Sequence, residues 1–209
     1  MRFRNLIPAF AALFLIPAGA YAQNADGDKA EQPAVEKYNG DGFSLEPPAG
    51  WILVTGSLGE SERKKLPANI LEHYEMRNTD VLFLNLSSRD AESKGFKDSL
   101  NIVTIGEAIP LTDELVTELS NVLTQQYTSM FEKFELEGIE ITTLGDRKVL
   151  QVKGKYPVLE YSVKMEQILV PSKKDSLVLT CTYDSGKEDA ADVIGACRKA
   201  MQSLTLNAQ

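Results

Sequence analysis

Two cysteines carry the most definite chemistry in this chain of 209 residues. Cys181 lies in a predicted strand and Cys197 in a predicted helix, on apolar sides that should meet in a core. In an exported chain such a pair favours one disulfide, which closes a loop of about 16 residues and contributes roughly 3 kcal/mol. The alternative is two buried thiols that pack as small apolar residues. Because the pair is not a Cys-x-x-Cys motif, a redox-active role is not indicated.

His73 is the only histidine, and this limits the catalytic and metal chemistry of the chain. A multi-histidine zinc site is impossible, and a catalytic triad has one candidate base. The residue lies on the polar side of a short predicted helix, beside Glu72 and Glu75, where a solvated side chain is the ordinary interpretation. We therefore predict no catalytic, cofactor-binding or metal-binding residue, and no cofactor.

Glu160, Lys164 and Glu166 lie on one side of a predicted strand and form a second candidate group. They could line a groove, as a carboxylate-using hydrolase with His73 or Glu160 in its cleft would require. The preferred interpretation is cross-strand ion pairing on a solvated face of the sheet. Acids are plentiful enough for weak binding of calcium or manganese, but no spacing points to a site.

Three short motifs match those of known sites and are rejected. The Ser-x-x-Lys spacing at 61–64 lacks the partner motifs Ser-Asp-Asn and Lys-Thr-Gly of penicillin-recognising enzymes. Gly186-Lys187 resembles the end of a phosphate-binding loop, but Glu188 replaces the required hydroxyl residue. The polar residues of 24–28 are spaced as in a calcium loop, but Lys29 stands at the glycine position.

Over 138–204, a meander of three strand-like runs, the first of them a hairpin, is followed by a helix and positions the cysteines and the charged group. Its strands are predicted at 139–144 with 149–156 as one hairpin, at 158–170 and at 176–183. The helix carries an apolar stripe at spacings of three and four, made of Ala190, Val193, Ile194, Cys197, Met201 and Leu204. Alternation in the last strand places Cys181 on the side opposite Thr180 and Thr182.

The preceding segments are predicted to cover this sheet. A strand at 43–45 breaks at a Pro-Pro-Ala-Gly turn and resumes at 51–54, and further strands follow at 81–86 and 100–105. Pro67 opens the short helix that contains His73. A long helix over 112–134 is capped by Thr112, and its apolar stripe is Leu115, Leu119, Val122, Leu123, Met130, Phe131 and Phe134.

The N-terminus has the pattern of a signal peptide over 1–22, with Arg2 and Arg4, an apolar run, and Ala20-Tyr21-Ala22 before the cleavage site. No cysteine follows that site, so no lipid anchor is predicted, and no membrane span is expected. We expect a disordered leader over 23–37 and a single domain over 38–206. Cleavage removes two arginines and no acid, which takes the net charge from −8 to −10 and disfavours nucleic acid as a partner.

The run Gly42-Phe43-Ser44-Leu45-Glu46-Pro47-Pro48-Ala49-Gly50-Trp51 resembles the opening of PsbP-like and DcrB-like proteins. These are relatives of the extrinsic PsbP subunit of photosystem II and of a Ran-binding nuclear import factor. The resemblance continues in the order of elements, and it implies an α+β fold, an α/β/α sandwich. Its mainly antiparallel sheet would have about six strands, with helices on both faces. Two departures are the lack of histidines beyond His73, which weighs against manganese delivery, and the lack of a lipidated cysteine.

The sequence therefore predicts an exported accessory module, periplasmic or secreted, that is not an enzyme. The resemblance implies binding to a larger protein partner, whose identity the sequence does not give. Two alternatives stay open: a small-ligand or metal-ion carrier, and a carboxylate-using hydrolase.

Overall fold

The computed structural model describes residues 37–55, 81–85, 96–131, 133–158 and 160–207. The strands are β1 (Tyr38–Asn39), β2 (Phe43–Leu45), β3 (Ile52–Thr55), β4 (Val81–Leu84), β5 (Ser99–Ile105), β6 (Glu135–Leu144), β7 (Arg147–Val158), β8 (Tyr161–Pro171), β9 (Ser176–Asp184) and β10 (Thr205–Leu206). The helices of this part are α1 (Asp113–Met130) and α2 (Ala190–Gln202). The predicted signal peptide, all but the last residue of the predicted leader, the motifs at 24–28 and 61–64, and the helix with His73 lie outside the described residues.

Seven strands form one antiparallel sheet in the order β3-β4-β5-β9-β8-β7-β6. Its second half, from β6 to β9, is the predicted meander, in which each strand pairs with the next along the chain. The strands β1, β2 and β10 form a separate small sheet. The predicted α+β class with a mainly antiparallel sheet is confirmed, with seven strands in the main sheet where about six were expected.

Helices α1 and α2 pack on opposite faces of the main sheet, as predicted. The α2 face includes Leu177, Leu179 and Cys181 of β9, packed with Val193 and Cys197 of α2. The α1 face includes Leu115, Leu119 and Leu123 of α1, packed with Leu150 and Val152 of β7. Because neighbouring residues of a strand point to opposite faces, each central strand contributes to both layers of the core.

Helix α1 begins as predicted and ends earlier than predicted. The Thr112 hydroxyl accepts a hydrogen bond from the Leu115 N–H at 3.2 Å, and Asp113 and Glu114 lie in the first turn. The helix ends at Met130, because Phe131 adopts an extended conformation with φ −124°. The prediction of a helix to 134 was wrong, since the apolar spacing of Phe131 and Phe134 reflects packing against the sheet rather than helical backbone.

An aromatic cluster occupies the corner between α1 and β6. The rings of Phe131 and Tyr156 stack with centroids 4.1 Å apart, and Phe134 lies 4.5 Å from Tyr127. Phe134 fits against Gly154, where a Cβ atom would come within 2.9 Å of its ring. The absence of a side chain at Gly154 therefore lets the chain turn from the helix into the strand.

The predicted strand at 43–45 and its resumption at 51–54 belong to two different sheets. Strand β2 pairs with β1 and β10, whereas β3 pairs with β4 at the edge of the main sheet. The intervening turn includes Gly50 at φ 76° and a hydrogen bond from the Trp51 N–H to the Pro48 carbonyl. The prediction of one interrupted strand was wrong, because the turn takes the chain from the small sheet to the main sheet.

Candidate functional site

A charged surface lies on the α2 face of the sheet, on the part of β6, β7 and β8 that α2 does not cover. We call it the hairpin face, and it consists of Glu135, Glu137, Glu140, Lys153, Lys155 and Lys164. The register places Glu135, Lys155 and Lys164 opposite one another on three adjacent strands, so their side chains share this face. Strand β6 carries three glutamates and no base, while β7 carries no acid and contributes Lys153 and Lys155 to this face. Charge on the hairpin face is therefore segregated by strand.

Ion pairs connect the strands of the hairpin face. The Lys155 ammonium lies 3.0 Å from a Glu135 oxygen and 3.8 Å from a Glu137 oxygen, and the Lys164 ammonium lies 3.3 Å from Glu137. The hydrogen bond to Glu135, followed by the attraction of its charge, raises the pKa of Lys155. All four side chains are partly exposed, between 28% and 62%. Such partly exposed pairs contribute little to stability, so breaking one of them costs little free energy.

At its inner border, the hairpin face meets an ion pair between the buried Glu166 and the exposed Arg198. The Arg198 Nε donates to one Glu166 oxygen at 2.9 Å, and an Nη donates to the other. This bidentate hydrogen bonding raises the pKa of Arg198. Burial, and secondarily the Glu166 charge, raises the pKa of Tyr183 nearby. Glu166 was predicted to lie on a solvated face, but α2 covers it, so its side chain is only 7% exposed.

The other members of the predicted charged group lie apart. Glu160 is exposed in the turn between β7 and β8, whereas Glu166 is buried under α2. Lys164 pairs with Glu137 across the sheet, as the cross-strand interpretation predicted. The structure therefore does not bring Glu160, Lys164 and Glu166 together as a groove.

Cys181 of β9 and Cys197 of α2 form a disulfide, with Cα atoms 6.2 Å apart. Both residues are fully buried in the layer between α2 and the sheet. This confirms the predicted pairing and its place in the core. The bond links the last strand of the meander to the helix that covers it.

A cluster of buried polar groups at the start of β5 was not predicted. Asp98 is 1% exposed, accepts a hydrogen bond from the Asp184 N–H at 3.0 Å, and lies 3.6 Å from the Lys187 ammonium. Burial raises the pKa of Asp98, against the opposing effects of that N–H and of Lys187. The one signal in the sequence is an acid placed directly before an apolar strand. That signal is weak, because acids are common at strand ends.

A second unpredicted feature is a row of buried amides and hydroxyls on the α1 face of the central strands. The Gln167 amide donates to the Thr180 hydroxyl at 2.8 Å, and the Ser99 and Thr182 hydroxyls lie 2.8 Å apart. The register places Asn101 opposite Thr180. The side-chain oxygens of Gln167 and Asn101 are buried and have no hydrogen-bond partner in the described part of the chain. Such acceptors are costly, and they favour a donor from outside the described set.

Within the described ranges, no three His, Cys, Asp or Glu side chains come close enough together to hold a metal ion. The described helices α1 and α2 lack the length and apolar content needed to cross a bilayer.

Comparisons with known proteins concern the fold. No family model matches the chain, and no curated protein matches it. The chain is similar to the solution structure of cyanobacterial PsbP (CyanoP) from Synechocystis sp. PCC 6803, with a TM-score of 0.53 and 14% identity. The similarity covers 88% of this chain and 98% of that one.

A second solved structure is that of LpqN, involved in cell envelope biogenesis of Mycobacterium tuberculosis. Its TM-score is 0.47 at 15% identity, over 86% of this chain and 88% of that one. A score at this level carries no argument about function. The cyanobacterial structure agrees with the fold that the opening run 42–51 implied. The chain thus has the PsbP-like fold.

Proposed function

We propose that this chain is an exported, non-enzymatic accessory module of the cell envelope that binds a larger protein. The hairpin face is its docking surface. The observation that carries the proposal is the segregation of acids on β6 and bases on β7, on a side of the sheet that stays exposed. A partner with complementary rows of charge would fit only one orientation on such a surface.

The ion pairs of the hairpin face support this role because they are exchangeable. Lys155 and Lys164 are held by Glu135 and Glu137 in partly exposed pairs, which are worth at most about 1 kcal/mol each in water. A partner carboxylate can replace an internal one without exposing apolar core. The fold beneath the surface is fixed by two buried layers, so the face is presented rigidly.

Export is supported by two independent features. The N-terminal 22 residues have the pattern of a signal peptide. The Cys181–Cys197 disulfide fits a chain that folds in an oxidising compartment. Together they favour the periplasm or the extracellular space as the place of action.

A photocrosslinking experiment tests the docking surface in cells that export the chain. Benzoylphenylalanine replaces Lys153 on the hairpin face or, as the control, the exposed Lys173 in the turn between β8 and β9. We expect a discrete crosslinked species from position 153 and none from position 173. Crosslinks from both positions, or from neither, would contradict the proposed surface.

A carboxylate-using hydrolase requires at least two converging polar groups. Glu160 lies in an exposed turn, apart from Lys164 and Glu166, which weighs against its part in a cleft. The variant His73→Ala tests whether His73 serves such a hydrolase. Substrate turnover by the wild type that is lost in this variant would establish an enzyme in place of the accessory module.

A small-ligand carrier is a second candidate, favoured by one observation. The oxygens of Gln167 and Asn101, which have no partner among the described residues, lie in the same buried row on the α1 face of the central strands. A bound molecule that donates hydrogen bonds would satisfy them. Native mass spectrometry of the purified mature protein tests this. A bound species that Gln167→Met releases would support the carrier, and the bare protein mass in both would contradict it.

A further inference from the structure

Strand β6 lies at the end of the main sheet and pairs only with β7 in the described part of the chain. A bulge interrupts the pairing between Leu136 and Gly138. From Gly138 to Leu144 the register is regular, over seven residues. The outer N–H and C=O groups of this segment, which we call the open edge, are therefore arranged to pair with another strand.

Within the described residues, the open edge has few of the features that protect edge strands against strand addition. Natural edge strands are commonly protected by lysine, proline or a bulge. Residues 138–144 contain no lysine or proline, and the bulge lies before them. The segment also contains Ile139, Ile141 and three consecutive residues of good strand propensity, Ile141, Thr142 and Thr143.

Side chains alternate along the open edge in a way that specifies the occupant. Ile139 and Ile141 are half-buried on the α1 face, where they extend the core formed by Val152 and Leu150. Glu140 is exposed on the opposite side, within the hairpin face. An added strand would place every second residue over the isoleucines and the residues between them beside Glu140.

Charge identifies the polar residues of that strand. Helix α1 contacts β6, and α1 contains three acids and no base. Over 113–144 the chain carries seven acids and one lysine. Strand β6 and the helix that contacts it thus both carry net negative charge, to which lysine and arginine of an added strand are complementary.

We infer that the open edge of β6 binds an extended segment of a partner protein in which basic and apolar residues alternate. The basic residues lie beside Glu140 and the apolar residues cover Ile139 and Ile141. This inference rests on the proposed function and specifies how the partner is bound. A second copy of β6 does not meet the requirement, because that strand carries three glutamates and no basic residue.

A synthetic peptide tests the inference directly. The probe is a fluorescein-labelled heptapeptide, Lys-Val-Lys-Val-Lys-Val-Lys, titrated with the full chain and followed by fluorescence anisotropy. Two further peptides carry N-methyl groups, one on the amides of the lysines and the other on the amides of the valines. In an added strand only one of these sets points at β6.

We expect one of the two methylated peptides to bind the chain at least about tenfold more weakly than the unmodified peptide. The other should bind less than about threefold more weakly. Glu140→Lys should weaken the unmodified peptide by about tenfold, whereas the matched change Glu46→Lys, at an exposed acid that follows β2 of the small sheet, should have little effect. Equal binding of all three peptides would show electrostatic adsorption only, and absence of binding would equally overturn the inference.

The outcome is separable from that of the proposed function. If the peptides fail while crosslinking through position 153 still captures a partner, strand addition is wrong and the accessory role stands. If the peptides bind as expected and no partner is captured at position 153, the open edge is a binding site and the hairpin face is not.

Discussion

Arg198 on α2 binds both carboxylate oxygens of Glu166 on β8, at the border between the covered and exposed halves of the sheet. The Glu166 side chain is 7% exposed and that of Arg198 is 53% exposed. The pair therefore positions α2 beside β8 while the guanidinium stays accessible at the margin of the hairpin face. This contact joins the rigid core to the surface that we propose binds a partner.

Arg198→Met should destabilise the fold, because it leaves the buried Glu166 carboxylate without its two donors. We expect a loss of about 1–3 kcal/mol in the free energy of unfolding, measured by urea titration. The neighbouring exposed residue provides a control, since Lys199→Met should change the value by no more than about 0.5 kcal/mol. Equal losses of unfolding free energy for the two variants would show that the Glu166–Arg198 pair does not stabilise the fold.

Asp98 should make the protein less stable as the pH rises above the acid range. Its pKa is raised by burial in the folded state, so the folded protein holds this proton more tightly than the unfolded chain does. The stabilising effect is complete below the ordinary value of 3.8 and is lost as pH rises through the raised pKa. Subtracting the pH profile of Asp98→Asn from that of the wild type isolates this contribution. A difference that is flat, or that increases with pH, would refute it.

Lys187→Met should raise the pKa of Asp98 further, because the Lys187 charge lowers that pKa and burial raises it. The stabilising effect of Asp98 protonation should then persist to higher pH. Titration of the Asp98 carboxyl by NMR measures the shift. Exposed Lys173→Met is the matched control and should leave the pKa of Asp98 unchanged. A lower pKa in the Lys187 variant would contradict the assignment.

The meander could be predicted because alternation and helical spacing are properties of residues close together in the sequence. Alternation in 176–183 placed Cys181 on one side, and helical spacing placed Cys197 on the apolar stripe of α2. Because both faces are apolar, the two elements were expected to meet, and the disulfide was predicted from this pattern together with the export signal. The unprotected edge of β6 and the buried Asp98 could not be found in this way, since both depend on which strands end up adjacent.

Periodicity reports which residues share a face, but not whether another element covers that face. Alternation along their strands placed Glu166 and Thr180 on the polar side of each strand. In the folded chain both residues are buried. The end of α1 shows a related limit, because Phe131 and Phe134 kept an apolar spacing after the backbone had left the helix. The candidate site was predicted in part: Lys164 in a cross-strand pair was correct, and its partner Glu137 was not identified.

Leu119→Ala tests the packing of α1 on the sheet. The side chain is 3% exposed, so its truncation should cost about 2–4 kcal/mol, through lost burial and the cavity that remains. Thr124→Ala, at an exposed position of the same helix, should change the stability by no more than about 0.5 kcal/mol. A loss below about 1 kcal/mol for Leu119→Ala would mean that α1 contributes little to the core.

Loss of the disulfide should weaken the fold without altering any chemistry of the hairpin face. It closes a segment of 16 residues, so the double variant Cys181→Ala, Cys197→Ala should lose roughly 3 kcal/mol, and more if the buried sites leave cavities. Mass spectrometry of the exported, unreduced protein after alkylation should show no modified cysteine. Two alkylated thiols would contradict the assignment of the bond in the cell.

The most direct test of the proposed function is the affinity for the partner crosslinked through position 153. The variant Lys155→Glu, Lys164→Glu reverses charge on the hairpin face, and Lys173→Glu, Lys174→Glu makes the same change in an exposed turn. We predict that the first variant binds the purified partner at least about tenfold more weakly, and that the second stays within about twofold of the wild type. Wild-type affinity in the first variant, with its fold intact by circular dichroism, would contradict the assignment of the docking surface.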